Sequence, residues 1–248
     1  MKTAAEELVA SLRVYLEELR DSGVDALPFA GPDTESIPAF PAATDEGSPV
    51  STAVTESLEE IRKELGECLR CELGKKRTNL VFGVGNPHAR LVFVGEAPGR
   101  DEDLQGEPFV GEAGQILTRL INRMGFTRQD VYICNVLKCR PPNNRDPQKD
   151  EIEQCGPFML RQVKAIGPEV VVALGAFAAH TLLQSTVPIS KLRGRFHDYH
   201  GIPLMPTYHP SFLLRNRGNN AVYWTVWEDM VQVLQKLNMP VPEVTRKG

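Results

Sequence analysis

The chain has 248 residues, 42% hydrophobic and 24% charged, with a formal net charge of -4. That is enough apolar material for a full core, while the longest apolar runs fall far short of the ~20 residues a membrane span requires. Near the start stand Glu6, Glu7, Glu17 and Glu18 rather than a basic stretch before an apolar run, which argues against a secretory signal and for a reducing cytoplasm, where thiols bind metals more often than each other.

Residues 4–21 carry Leu8, Leu12, Tyr15, Leu16 and Leu19 on one stripe, predicting an amphipathic helix within a segment spanning 1–22. Residues 23–54, rich in Pro, Ala, Ser, Thr and acids without a repeating apolar face, read as a flexible linker. A folded domain is expected over 55–248. It opens with a helix that places Leu58, Ile61 and Leu65 on one face. Next come an apolar run from Leu91 to Val94, a helix from Ala113 to Met124, a run from Val131 to Leu137 and a helix from Pro147, with Asp146 as its cap. Val170 to Leu174, a helix from Ala176 to Gln184, a run from Leu204 to Thr207 and a last helix from Ala221 to Leu237 complete the series. Strand and helix alternate, and continuous runs such as Val170-Val171-Val172 belong to strands covered on both faces. The fold class is therefore α/β, with a mostly parallel central sheet between helical layers. Ligands of such sheets sit at the carboxyl ends of the strands, where Glu96, Asn135 and His209 fall on one rim.

Charge is unevenly spread. Residues 1–55 hold three Lys/Arg and ten Asp/Glu, so the remainder carries +3. Between Pro188 and Gly218, Lys191, Arg193, Arg195, Arg215 and Arg217 face only Asp198, a pattern expected either of a phosphate-facing surface or of an ordinary solvated face. Four of the five cysteines form two pairs, Cys68-x-x-Cys71 and Cys139 with Cys155, whose thiolates could converge on one ion or cluster; spacing alone does not separate zinc from iron and sulfur. Cys134, inside a strand, reads as a small core residue. Gly95-Glu96-Ala97-Pro98-Gly99 follows a buried strand and lets backbone approach a planar ligand closely. Phe109, in a Pro-Phe-Val-Gly loop, reads on its own as core rather than as a stacking platform. In Tyr208-His209-Pro210-Ser211 the histidine precedes apolar side chains and arginines that suit a wedge into a duplex groove.

Together, and in this order, these motifs resemble the iron-sulfur uracil-DNA glycosylases of bacteria and archaea, usually called family 4. The similarity runs from Cys68 to Arg215 and includes Asn135-Val136-Leu137-Lys138-Cys139-Arg140-Pro141-Pro142, Asn144-Arg145 and His209-Pro210-Ser211. The resemblance implies a three-layer α/β/α sandwich, a 4Fe-4S cluster on Cys68, Cys71, Cys139 and Cys155 with zinc as the alternative, and hydrolysis of the N-glycosidic bond of uracil flipped out of DNA. It implies that Gly95, Glu96 and Ala97 line the base slot, that Phe109 stacks on the base and that Asn135 reads its edge. His209 would donate to the uracil 2-oxygen, Asn144 would position water, Glu96 would hold its loop and favour the cationic sugar, and Glu102 would wall off the 5-position. Leu213, Leu214 and Arg215 would fill or prop the gap in the duplex.

Cluster-free relatives carry an aspartate where Ala97 stands, so water activation is weak here. Another relative traps uracil covalently through a histidine in an inserted basic loop; the corresponding stretch here, Ser190 to His197, resembles the ordinary family 4 version. No lysine stands where a Schiff base would cut the strand, so a monofunctional enzyme is expected, acting as a monomer on single- or double-stranded DNA and not on membranes. The competing expectation is a non-catalytic, metal-stapled protein that binds uracil or single strands or serves a polymerase. The segment before residue 55 lies outside the resemblance, and its partner is unread.

Overall fold

The computed structural model describes residues 56–217 and 219–243. The helix and linker expected before residue 55 lie outside the described residues. The first described element, α1 (Leu58–Leu65), starts at a capping box in which the Ser57 side chain accepts from the Glu60 amide and the Glu60 carboxylate accepts from the Ser57 amide. Its apolar face, Ile61 and Leu65, packs on Phe158.

A six-stranded sheet follows the order β1 (Val84–Gly85), β3 (Tyr132–Asn135), β2 (Leu91–Gly95), β4 (Val170–Leu174), β6 (Ile202–Thr207), β5 (His197–Tyr199). The four central strands run parallel, and the edge strands β1 and β5 pair antiparallel. The expected mostly parallel sheet is present, with two antiparallel edges that the apolar pattern was too short to reveal. Helices α2 (Arg100–Gln105), α3 (Glu112–Arg123), α4 (Lys149–Ile166), α5 (Gly175–Leu183), α6 (Ile189–Leu192), α7 (Pro210–Arg215) and α8 (Asn220–Lys236) complete the domain.

The sheet is buried on both sides because successive side chains of each strand point to opposite faces. Val92, Val94, Val171 and Ala173 meet Met159 and Val163 of α4 and Ala178, Ala179 and Leu182 of α5. Leu91, Phe93, Val170 and Val172 meet Leu117 and Ile121 of α3 and Trp227, Met230 and Val233 of α8. Two helical layers around one sheet make the three-layer sandwich. Among the described residues no helix is long and apolar enough to cross a membrane.

One boundary differs from expectation. Helix α4 begins at Lys149, not Pro147, because Gln148 is its N-cap and Glu151 bonds the Gln148 amide at 2.8 Å. Glu151 is buried and also takes both guanidinium nitrogens of Arg145, at 2.9 and 2.6 Å, which holds its carboxyl below the usual carboxylate range. That network outweighs the Asp146-Pro147 signal, and Asp146 is left facing the cleft.

Candidate active site and cysteine centre

Four parallel strands end side by side, and each end delivers a residue to one cleft of about 500 Å³: Asn135 from β3, Glu96 after β2, Gly175 after β4 and His209 after β6. Ala97, Pro98, Gly99, Glu102, Phe109, Asn144 and Arg215 also line it. The rim expected from the sequence is therefore a single concave site.

Its floor is built for close approach. A Cβ on Gly95 would lie 2.3 Å from Asn135 Oδ1 and 2.5 Å from Phe109 Cζ, so only glycine leaves both side chains in place. Asn135 is 2% exposed, and its Oδ1 is buried without a hydrogen-bond partner. Natural interiors rarely leave such an acceptor unpaired, and one in a cleft is suited to a ligand N-H.

Phe109 is both core and wall, buried against the α3 layer while lining the cleft. Its backbone is left-handed at φ 55°, an unfavourable conformation for a residue with a side chain. The turn is held from two sides. Arg128 donates to the carbonyls of Pro108 at 2.8 Å and Phe109 at 3.1 Å, and Glu102 Oε1 accepts from the amides of Val110 and Gly111 at 3.0 and 3.1 Å. The other oxygen of Glu102 takes the Gly99 amide at 3.1 Å, so this carboxylate ties the 95–99 turn to the aromatic loop.

His209 Nδ1 accepts from the Ser211 amide at 3.1 Å and lies 2.8 Å from Ser211 Oγ. With Nδ1 an acceptor, the neutral ring carries its proton on Nε2. Burial, together with the charge of Arg215, pushes the imidazole down to about 4, so it is uncharged at neutral pH. Its ring lies 5.7 Å from that of Phe109, tilted by 36°. Glu96 behaves oppositely: burial, then the negative charge of Asp146, push its carboxyl up to about 7. Asn144 is exposed at the cleft edge with φ 52°, and its Oδ1 accepts from Arg140 Nε at 2.8 Å.

Two sequence expectations need correction. Leu213 is only 8% exposed and packs into the α3/α8 core, because helix α7 turns it inward; it is not available as a wedge, whereas Leu214 is half-buried and Arg215 exposed. Arg193 is no surface cation: it bonds both oxygens of the fully buried Asp229, at 3.0 and 2.6 Å, and the Thr225 carbonyl at 2.6 Å. Thr207 donates to the same carboxylate at 2.6 Å, which joins β6, the strand leading to His209, to α8. Arg217 lies 3.8 Å from Glu112, leaving Lys191, Arg195 and Arg215 as exposed basic residues of this stretch without a carboxylate partner among the described residues. His197 sits in edge strand β5, its Nε2 2.9 Å from the Leu192 carbonyl, and does not line the cleft.

Sequence reasoning missed Gly175, Ala176, Asp146 and Ser211 as lining residues, and Arg128 as the brace of Phe109. Gly175 was detectable in principle as a glycine directly after a buried strand; at φ 93° its Cβ would meet His209 Cβ at 2.9 Å. Arg128 left no local signal.

Cys68, Cys71, Cys139 and Cys155 line one pocket with Leu65, Leu80 and Phe158, and all four are free thiols. Donors approach three of the sulfurs: Arg70 Nη1 to Cys68 at 3.3 Å, Arg77 Nη1 to Cys139 at 3.4 Å and the Lys138 amide to Cys155 at 3.2 Å. Such donors suit charged sulfur. Among the described residues no group of three or more His, Cys, Asp or Glu is arranged to hold a metal ion. Cys134 is buried in β3, as expected.

Residues 82–231 match the family model of the uracil DNA glycosylase superfamily. The chain is 49% identical over 167 residues to the type-4 uracil-DNA glycosylase of Archaeoglobus fulgidus, covering 64% of this chain and 84% of that protein. It is 50% identical over 166 residues to the type-4 enzyme of Thermotoga maritima, covering 66% and 86%. The type-5 uracil-DNA glycosylase of Pyrobaculum aerophilum is similar at 31% over 170 residues, covering 61% and 72%. With several type-4 proteins matched across most of their length at this identity, and with the rim geometry in place, the chain belongs to the type-4 uracil-DNA glycosylases of the uracil DNA glycosylase superfamily.

Proposed function

We propose that this chain hydrolyses the N-glycosidic bond of uracil flipped out of DNA and leaves an abasic site. The observation that carries the reading is the unpartnered Asn135 Oδ1 in a cleft walled by Phe109. Uracil offers a ring N-H to that oxygen and its 4-oxygen to the amide N-H₂; cytosine inverts both. A site that leaves its own buried groups unpaired with the wrong base can discriminate by ~10⁴ or more.

As the bond from N1 to the anomeric carbon breaks, its electron pair passes to uracil and spreads to the 2-oxygen. The neutral His209 donates from Nε2 to that oxygen without giving up its proton. Water adds to the cationic sugar and releases a proton, with Asn144 and Glu96 at the side of the cleft where it would enter. Glu102, committed to three backbone amides, keeps the Phe109 loop over the base, and its position on the cleft wall is compatible with screening the 5-position. Leu214 and Arg215 prop the emptied stack, and the cleft is complete within one chain, which supports a monomer.

We further propose that Cys68, Cys71, Cys139 and Cys155 hold a 4Fe-4S cluster. Free thiols around one pocket with donors aimed at the sulfurs fit a four-thiolate group, with zinc as the alternative occupant. With four protein ligands such a cluster supplies structure, not an open position for chemistry.

The test is an oligonucleotide with one uracil, treated with protein and then hot alkali. Cleavage at the uracil is expected; binding without a break at any salt concentration would replace this reading by a binding-only one.

A further inference from the structure

We propose that Lys138 is a positioning residue for base recognition, bracing the main chain of Asn135 and fixing it to the cysteine centre; this rests on the reading of Asn135 as the base-reading residue. Lys138 is fully buried, 0% exposed, between the two sites. Its Nζ donates to the Asn135 carbonyl at 2.8 Å, and the residue is part of the lining of the cysteine pocket. Its own amide donates to Cys155 Sγ at 3.2 Å, and the next residue is Cys139. The Phe82 ring lies 6.0 Å from the amine.

A buried amine is expensive to desolvate, and a methionine of similar length would fill the same space without that penalty. What the amine adds is a hydrogen bond at the last residue of β3, where the strand stops and the chain turns. Just beyond, the amides of Val136 and Leu137 bond the carbonyls of Gly95 and Glu96 at 2.9 and 3.0 Å, so this short segment fixes the base-reading amide against the Gly95 floor. Backbone freedom at Asn135 would move Oδ1 relative to Phe109. The cysteine centre thereby bears on recognition through one side chain: sulfur holds the Lys138 backbone, and the Lys138 amine holds Asn135.

Lys138→Met removes the donor at nearly constant volume. In the full-length, metal-loaded chain, free uracil is expected to inhibit ~5-fold less strongly, the loss typical of one net hydrogen bond. Affinity for DNA bearing an abasic site, which presents no base, is expected to stay within about twofold, and metal content to be unchanged. Lys138→Arg, which keeps a cationic donor, is expected to recover part of the uracil affinity. Unchanged uracil inhibition in folded Lys138→Met, or equal loss of uracil and abasic-site binding, overturns the proposal. Where Lys138→Met does not fold, Lys138→Leu, which also removes the donor, replaces it with the same two binding measurements and the same criteria. A wild-type chain that excises no uracil sinks the glycosylase reading itself, a failure distinguishable from that of the variant.

Discussion

Glu96 stands in the cleft without a hydrogen-bond donor to its carboxylate among the described residues, and Asp146 adds a like charge. Replacing it by glutamine keeps the shape and removes the charge. A carboxyl raised from 4.5 to about 7 is disfavoured as an anion by roughly 3.4 kcal/mol, at 1.36 kcal/mol per pH unit. The side chain is only half-buried, and solvent screening reduces the usable figure to about 2 kcal/mol. The folded-state value is raised, so this group's contribution to stability is fully present below 4.5 and is lost as pH rises through about 7. Wild type and Glu96→Gln should therefore unfold nearly alike near pH 4 and diverge between about pH 4.5 and 7, with most of the difference in place by neutrality. By about pH 8.5 the variant should melt roughly 4–8 °C higher, the shift expected for about 2 kcal/mol in a domain of this size. Excision should show the opposite preference: wild-type activity rises through about pH 7 as the carboxylate forms, and the variant is slower with that rise absent. Thermal unfolding at the two pH values, beside an alkali-cleavage time course, measures both. An equal melting difference at both pH values would refute the desolvation argument.

Replacing His209 by Ala removes one donor to the departing base, and excision should slow by about 10²–10³-fold while binding to uracil-containing DNA changes little, as measured by single-turnover kinetics and titration. Because the imidazole is neutral down to about 4, wild-type excision should lose no activity to its protonation between about pH 5.5 and 8. Gly95→Ala should abolish excision, since its Cβ would lie 2.3 Å from Asn135 Oδ1; Gly156→Ala in helix α4, with its nearest neighbour 3.8 Å away, should stabilise by about 0.5–1 kcal/mol in urea unfolding. Leu213→Ala should destabilise by about 2–5 kcal/mol through the cavity it leaves, whereas Leu214→Ala should change stability by less than about 1 kcal/mol and weaken excision from duplex more than from single-stranded DNA.

The strands and the rim were legible because their signals are local. Leu91 to Val94 and Val170 to Leu174 are unbroken apolar runs, and each central strand hands its last residue to the same side of a parallel sheet. Asn135 and His209 could be placed for that reason alone. What was illegible depends on partners remote in sequence. Arg193 read as a surface charge because Asp229 lies 36 residues away, and Glu102 gave no hint of its bonds to Val110 and Gly111. Leu213 and Leu214 look equivalent as a pair; the helical step of about 100° separates them, and only the packing of α7 on α3 decides which faces inward. The start of α4 was displaced because a capping box at Gln148 and Glu151 competes with an aspartate-proline signal two residues earlier.

The Thr207–Asp229–Arg193 knot gives the far end of the chain a part in events at the cleft. The strand that carries the histidine is moored, at its final residue, to a carboxylate on the last helix. A protein shortened before residue 229 would lose that mooring while keeping every residue that lines the cleft. Such a truncation would strip Met230 and Val233 from the core and release the strand behind the imidazole at once, so deletions that seem peripheral on a linear map reach the reaction itself.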